Sequence, residues 1–269
     1  MTPEEIFSII QKVKTTSPLV HNITNFVVMN NTANALLAAG ASPVMAHAKE
    51  EVADMVKIAS ALVINIGTLN PDWIEGMKKA IAAAKDLNKP FVLDPVGAGA
   101  TPYRNEQLKE LLKVASPTVI RGNASEIAAV LDSTKTTKGV DSTASSDSSI
   151  DAGKALNTSL GSVVCLSGAT DYVIDGTKMG EVKNGSQLMA KVTGLGCSAT
   201  ALIGAFVGVH PSAFEATLAA MAYIGVAGEL AAKQSQGPGT LQLHLLDKLY
   251  NLTQEEFINT VNVKTYELA

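Results

Sequence analysis

The stretch "ALVINIGTLNPDWIEGMKKAIAAAKDLNKPFVLDPVG" occupies residues 61–97 and sets the fold class. Two short apolar runs, 61–67 and 90–97, flank a helix-like segment at 70–88. Each run ends in glycine, the pattern of a strand buried on both faces. The helix has a start signal of its own, with Asn70 as N-cap and Pro71 at the first helical position. The same alternation extends in both directions. "SPVMA" (42–46), "TVIRGN" (118–123) and "SVVCLSG" (162–168) read as further buried strands, and "EQLKELLKVA" (106–115) and "SEIAAVLD" (125–132) as helices. Strand and helix alternating at this spacing imply a parallel sheet with helices on its faces. After 168 the character changes. "DYVIDGTKMGEVKNG" (171–185) carries Asp-Gly and Asn-Gly turns and reads as β-hairpins, and the chain from about 196 reads as mostly helical. The Ser/Thr-rich segment 132–149 is expected to be an exposed loop within one α/β domain covering residues 1–269.

Composition narrows the class. The 269 residues are 46% hydrophobic with a net charge of -4, enough for a well-filled core and without the basic face of a nucleic-acid binder. Two cysteines, Cys165 and Cys197, make no disulfide framework and point to a reducing cytoplasm. The apolar region 194–232 is interrupted by Gly208, His210, Pro211 and Glu229, so it reads as two buried helices rather than a membrane span. The histidines at 21, 47, 210 and 244 have no zinc-ligand spacing with either cysteine.

Ligands of open parallel sheets bind beyond the carboxyl ends of the strands. The residues there are Met45, Gly67, Asp94, Arg121, Asn123 and Ser167. An acid such as Asp94 at the end of a buried strand needs a partner or a metal, although Asp-Pro also suits a plain turn. Glu126 falls in a first helical turn, where the helix dipole favours it in any case. The Arg121 fork suits phosphate. No Walker A sequence is present, and Pro102 breaks the Gly97–Gly99 start of a dinucleotide fingerprint. The remaining glycine turn before a helix is "TGLGCSAT" (193–200). Its N–H groups from Gly194 through Gly196 to Cys197 would converge as an anion hole. A thiol at that helix start is expected to have a lowered pKa and could serve as a proton acceptor. The alternative is that Cys197 only fills space.

Four segments together carry a resemblance. "PLVHNITNFVVMNNTANALLAAGASPVMA" (18–46), "LDPVGAGAT" (93–101), "RGNASEI" (121–127) and "VTGLGCSATALIGAF" (192–206) resemble, in order and spacing, the hydroxyethylthiazole kinase family of the ribokinase-like superfamily. The resemblance implies a three-layer α/β fold with a central, mostly parallel sheet flanked by helices. It implies phosphorylation of 4-methyl-5-(2-hydroxyethyl)thiazole by ATP with Mg²⁺, in a homotrimer whose thiazole sites lie at subunit interfaces. Asn25, Met45, Gly67 and Gly194 would then contact the thiazole. Arg121, Asn123, Ser167 and Gly196 would contact ATP, Asp94 and Glu126 would serve Mg²⁺, and Cys197 would be the base. Cys197 stands where many ribokinase-like enzymes have Asp, and Leu195 where other members carry Thr. The competing readings are a kinase of hydroxymethylpyrimidine or pyridoxal, a repair enzyme of the same fold, and a non-catalytic trimeric binding protein.

Overall fold

The computed structural model describes residues 1–134 and 146–267. In chain order the strands are β1 (Leu19–Ile23), β2 (Ser42–Val44), β3 (Ala61–Asn65), β4 (Phe91–Asp94), β5 (Val119–Asn123), β6 (Val163–Ser167), β7 (Asp171–Asp175), β8 (Lys178–Val182) and β9 (Val263–Glu267). They form a single sheet in the order β2-β1-β3-β4-β5-β6-β7-β8-β9. The first six pair in parallel and the last four pair antiparallel. Every residue of β3 is buried, as a central parallel strand requires.

Helices cover both faces. On one face lie α3 (Val52–Ile58), α4 (Pro71–Asp86), α5 (Pro102–Val114), α6 (Ala124–Thr134) and α7 (Ser146–Leu160). On the other lie α1 (Pro3–Thr16), α2 (Met29–Ala38), α8 (Leu195–Val207), α9 (Ala213–Lys233), α10 (Pro238–Asn251) and α11 (Gln254–Thr260). Each face has its own apolar core, which is the expected three-layer α/β/α arrangement. In α4, Asn70 accepts the Trp73 N–H at 3.0 Å and Pro71 opens the helix, as read from the sequence. Its buried stripe, including Ile74, Met77, Ile81 and Ala84, has helical spacing. By length and composition α9 could cross a bilayer, but 78% of its apolar window is buried inside the fold.

Two strands depart from the sequence expectations. β1 was not foreseen, because "LVHNI" interrupts its apolar run with His21 and Asn22, both fully buried. β9 was not foreseen within the mostly helical C-terminal region. It is an exposed edge strand held by its pairing with β8. The expected loop at 132–149 is shorter at both ends, since α6 runs to Thr134 and α7 begins at Ser146. The remainder, 135–145, lies outside the described residues.

The layering positions the site. Side chains alternate along strands, so the face that packs Val63, Val92, Val119 and Cys165 in the α8–α9 core also carries Asn65, Asp94, Arg121 and Ser167 at the strands' carboxyl ends. α8 packs on β1, β3 and β4 with its N-terminus directed toward these ends.

Candidate active site

The turn before α8 has the conformation its glycines permit. Gly194 is the N-cap at φ +81, a left-handed value, and a Cβ there would lie 2.8 Å from Val28 Cγ1. No side chain caps this helix, and the first intrahelical bond runs from Ser198 N–H to the Gly194 carbonyl at 2.8 Å. The N–H groups of Leu195, Gly196 and Cys197 are thus available to an anion at the positive end of the dipole. A Cβ on Gly196 would stand 2.7 Å from Arg121 Nη1, so glycine lets the guanidinium lie against the helix start.

Arg121 opens into a cavity of about 640 Å³, whose lining includes Ser167, Asp171, Gly196, Met221 and Ile224. That size and its mixed polar and apolar walls suit a nucleotide. Arg121 Nε is buried without a hydrogen-bond partner among the described residues. Asp171, unnoticed in the sequence, accepts the Gly168 N–H at 3.0 Å, and burial pushes its carboxyl up to about 6. Asn123 is not among the cavity's lining residues; it is occupied at the start of α6. Its Oδ1 accepts the Glu126 N–H at 2.9 Å, while Glu126 Oε2 accepts the Asn123 N–H at 2.9 Å. "NASE" is therefore a reciprocal helix cap. Glu126 Oε1 also accepts the Gly97 N–H at 2.9 Å, tying the loop after β4 to the end of β5.

On the other side of the α8 turn lies a second cluster. Asn25 Nδ2 donates to Asn65 Oδ1 at 2.9 Å and approaches Cys197 Sγ at 3.6 Å. Asn65 Oδ1 also accepts the Gly67 N–H at 2.9 Å, and Asn65 Nδ2 donates to Asp94 Oδ2 at 2.8 Å. Thr200 Oγ1 donates to the same Asp94 oxygen at 2.8 Å. Asn25, Gly67, Asp94 and Cys197 are thus brought together by Asn65 and Thr200, neither of which was singled out in the sequence. The signal for Asn65 was present, as a polar residue inside the apolar run "ALVINIG". Arg104 was also missed; from α5 it donates to the Ile66, Val96 (2.8 Å) and Gly67 (3.2 Å) carbonyls and fixes the loops after β3 and β4. Met45 stands just past edge strand β2, its carbonyl held by His47 at 3.1 Å.

One chemical expectation is corrected. The Cys197 thiol is pushed up to about 11, above rather than below its ordinary range. Burial is the main cause and the nearby Asp94 adds to it, outweighing the two asparagine amides and Arg121. Asp94, only 1% exposed, is itself pushed up to about 6 by burial, against the pull of Arg121 and its two donors.

The donor set fits a phosphate-borne Mg²⁺. Asp94 and Glu126 are close enough to interact electrostatically, and each retains oxygen lone pairs. Among the described residues no group of three or more His, Cys, Asp or Glu side chains forms a dedicated metal cage. Mg²⁺ ordinarily keeps several waters and binds one or two carboxylates plus substrate phosphates, which two acids beside an anion hole can provide.

The hydroxyethylthiazole kinase family model matches residues 10–255. The chain belongs to the hydroxyethylthiazole kinase family. It is 54% identical to a hydroxyethylthiazole kinase of Syntrophus aciditrophicus over 98% of each chain. It is 54% identical to one of Leptospira biflexa over 95% of this chain and 96% of that one. The solved hydroxyethylthiazole kinase of Pyrococcus horikoshii superposes with a TM-score of 0.91 at 42% identity, covering 98% of this chain and 100% of that one. Pyridoxal kinase from Staphylococcus aureus shares the fold alone, with a TM-score of 0.68 at 17% identity over 93% of this chain and 99% of that one. The ribokinase-like fold and the kinase class inferred for this family member are both supported by these relatives.

Proposed function

We propose that the chain, acting as one kinase domain over residues 1–269, transfers the γ-phosphoryl group of ATP to the hydroxyl of 4-methyl-5-(2-hydroxyethyl)thiazole. The observation that carries this reading is that consecutive residues of the α8 start face two half-sites. Gly196 lines the nucleotide-sized cavity with Arg121, and Cys197 touches Asn25 in the second cluster. A phosphoryl group passing between them would cross the free N–H groups of the helix start. The relatives' names supply the substrate, and few aromatics, 4% of the chain, leave aliphatic walls to hold the thiazole.

In this reading ATP occupies the cavity, with Arg121, Ser167 and Gly196 toward its phosphates and Asn123 shaping the loop beside them. Asp94 and Glu126 would hold Mg²⁺, which supplies charge neutralisation on the phosphates when bound. Asn25, Gly67 and Gly194 form the thiazole side, and Met45 approaches it from the β2 edge. The alcohol oxygen attacks the γ-phosphorus, the bond to the β-γ bridging oxygen breaks, and ADP departs with the electron pair. The hydroxyl proton passes late to Cys197. That step needs the thiolate, and the resting thiol is neutral at pH 7. Positioning and the anion hole therefore supply most of the rate.

Cys197→Ser is expected to lower kcat by roughly 10²-fold or more while leaving the ATP KM near its original value. Wild-type turnover should rise between pH 7 and 9 as the thiolate fraction grows, and the serine variant should lose that slope. Cys197→Asp should retain activity, because its carboxylate is a base of the right reach. A serine variant with unchanged kcat and the same pH profile would reduce Cys197 to a packing residue.

The active unit is proposed to be a cytoplasmic homotrimer with the thiazole site completed across subunits. Phe26 and Val27, next to Asn25, are 61% and 64% exposed and offer apolar surface for such a contact. The direct test of function is ADP release with Mg-ATP and the thiazole, against pyridoxal and hydroxymethylpyrimidine. Turnover with the thiazole alone supports the assignment, and turnover only with a control overturns it.

A further inference from the structure

His47 takes no part in the chemistry above, yet its ring is held on three sides. Its Nε2 faces the Thr24 N–H at 3.3 Å, and a backbone N–H can only donate, so Nε2 is the bare nitrogen. The ring proton is then on Nδ1, which donates to the Met45 carbonyl at 3.1 Å. One face of the imidazole stacks on Trp73 of α4, with centroids 4.2 Å apart at 24°. Trp73 is packed in turn against Phe26, at 4.4 Å and 41°. The next carbonyl, of Ala46, is held in the same way by the fully buried His21, whose Nε2 lies 2.8 Å away. Burial lowers the pKa of both imidazoles, which keeps the neutral tautomers these bonds need.

The consequence is geometric. Thr24 precedes Asn25, and Met45 precedes Ala46, so one side chain ties the end of β1 to the end of β2. Asn25 reaches Cys197, and the Met45 carbonyl is bonded to His47. Beyond the β1–β2 ladder and the His21 bond to Ala46, His47 is the side chain that links Met45 to the residue before Asn25. We propose that His47 is a positioning residue that sets the width of the thiazole site by fixing Met45 relative to Asn25. This rests on the thiazole reading above, and it concerns the substrate side only, since no residue it holds lines the nucleotide cavity.

The experiment compares His47→Phe and His47→Asn with the wild type. Phenylalanine keeps the stack on Trp73 and removes both hydrogen bonds. In asparagine, Nδ2 stands as many bonds from the backbone as histidine Nδ1, so the bond to the Met45 carbonyl can be kept. Thiazole Kd is measured by calorimetry, KM for each substrate by ADP release, and Tm by scanning fluorimetry. The phenylalanine variant should raise the thiazole Kd and KM about tenfold, with the ATP KM within about twofold. The asparagine variant keeps the Met45 end of the bridge but loses the Thr24 end, so it should show a similar selective loss. Trp73 is the chain's one tryptophan, so its emission reports independently whether the stack survives. If the phenylalanine variant fails to fold, His47→Gln, which keeps only the acceptor facing Thr24, is put in its place with the same expected selective loss. Unchanged thiazole binding in the folded variant would overturn the positioning role, as would thiazole and ATP KM rising together with a fall in Tm. A wild type that does not bind the thiazole would instead overturn the function reading, and this inference with it.

Discussion

Asp94→Asn is expected to lower kcat by roughly 10²- to 10³-fold and, at pH 7.5 without Mg²⁺, to raise the melting temperature by several degrees. The opposite signs have one cause. Asp94 is buried, and its carboxyl moves from 3.8 to about 6 because burial disfavours the charge. A group whose folded pKa is raised contributes its stability fully below the unfolded value and loses it as pH rises through the folded one. Below about pH 4 the neutral acid costs nothing extra. Above about pH 6 the protein must carry an ionised carboxylate in a dry place, at a cost of up to about 3 kcal/mol from roughly two pKa units. Asparagine is neutral throughout, and its amide oxygen can accept the same two donors, Asn65 Nδ2 and Thr200 Oγ1, that Asp94 Oδ2 accepts at 2.8 Å each. The stability gain should therefore be present at pH 7.5 and vanish near pH 4. Melting curves at both pH values, beside kcat at pH 7.5, make the check. A variant less stable than the wild type at pH 7.5, or one with undiminished kcat, would contradict the role given to Asp94.

The second large effect falls on Arg121. Arg121→Met should reduce kcat/KM for ATP by roughly 10²- to 10³-fold and leave thiazole binding within about twofold. Near pH 4, where Asp94 and Asp171 are neutral, melting should stay where it is or rise, because Nε is buried without a partner in the ligand-free protein. Methionine keeps most of the apolar stem and removes the fork that lies against Gly196. Arg121→Lys should recover a minor part, since a point charge cannot replace a bidentate planar donor. Loss of the guanidinium also removes the cation that restrains the Asp94, Asp171 and Cys197 pKa values, so all three should move further up. An ATP kcat/KM that is unchanged in the methionine variant would place the phosphates elsewhere. A second cavity, of about 480 Å³ and lined by Asn88, Pro90, Thr118 and His210 among others, opens at the strands' other end and includes no candidate residue.

The placement of the candidates Asp94, Arg121 and Ser167 at the strands' carboxyl ends was legible from position alone, because a parallel sheet gathers its strand ends at one edge. The helix cap at Asn70 and the glycine turn at 194–196 were also legible, since both depend on local backbone geometry. Asn65, Thr200 and Asp171 were not. Thr200 lies in an apolar helix and Asp171 in a hairpin, and nothing local indicates that Thr200 meets Asp94 from 106 residues away. β9 exists as a strand because β8 offers it a ladder.

The chain alone determined the alternation of strand and helix, the caps and the glycine turn, because each is a matter of neighbouring residues and their periodicity. The thiol was a different case. A helix N-terminus should lower its pKa, and the sequence shows the helix N-terminus. Burial of Cys197, with Asp94 beside it adding to the effect, reverses the sign and follows from the packing of α8 across β3 and β4. Charge states inside a protein depend on distance and dielectric, and only the folded chain sets both.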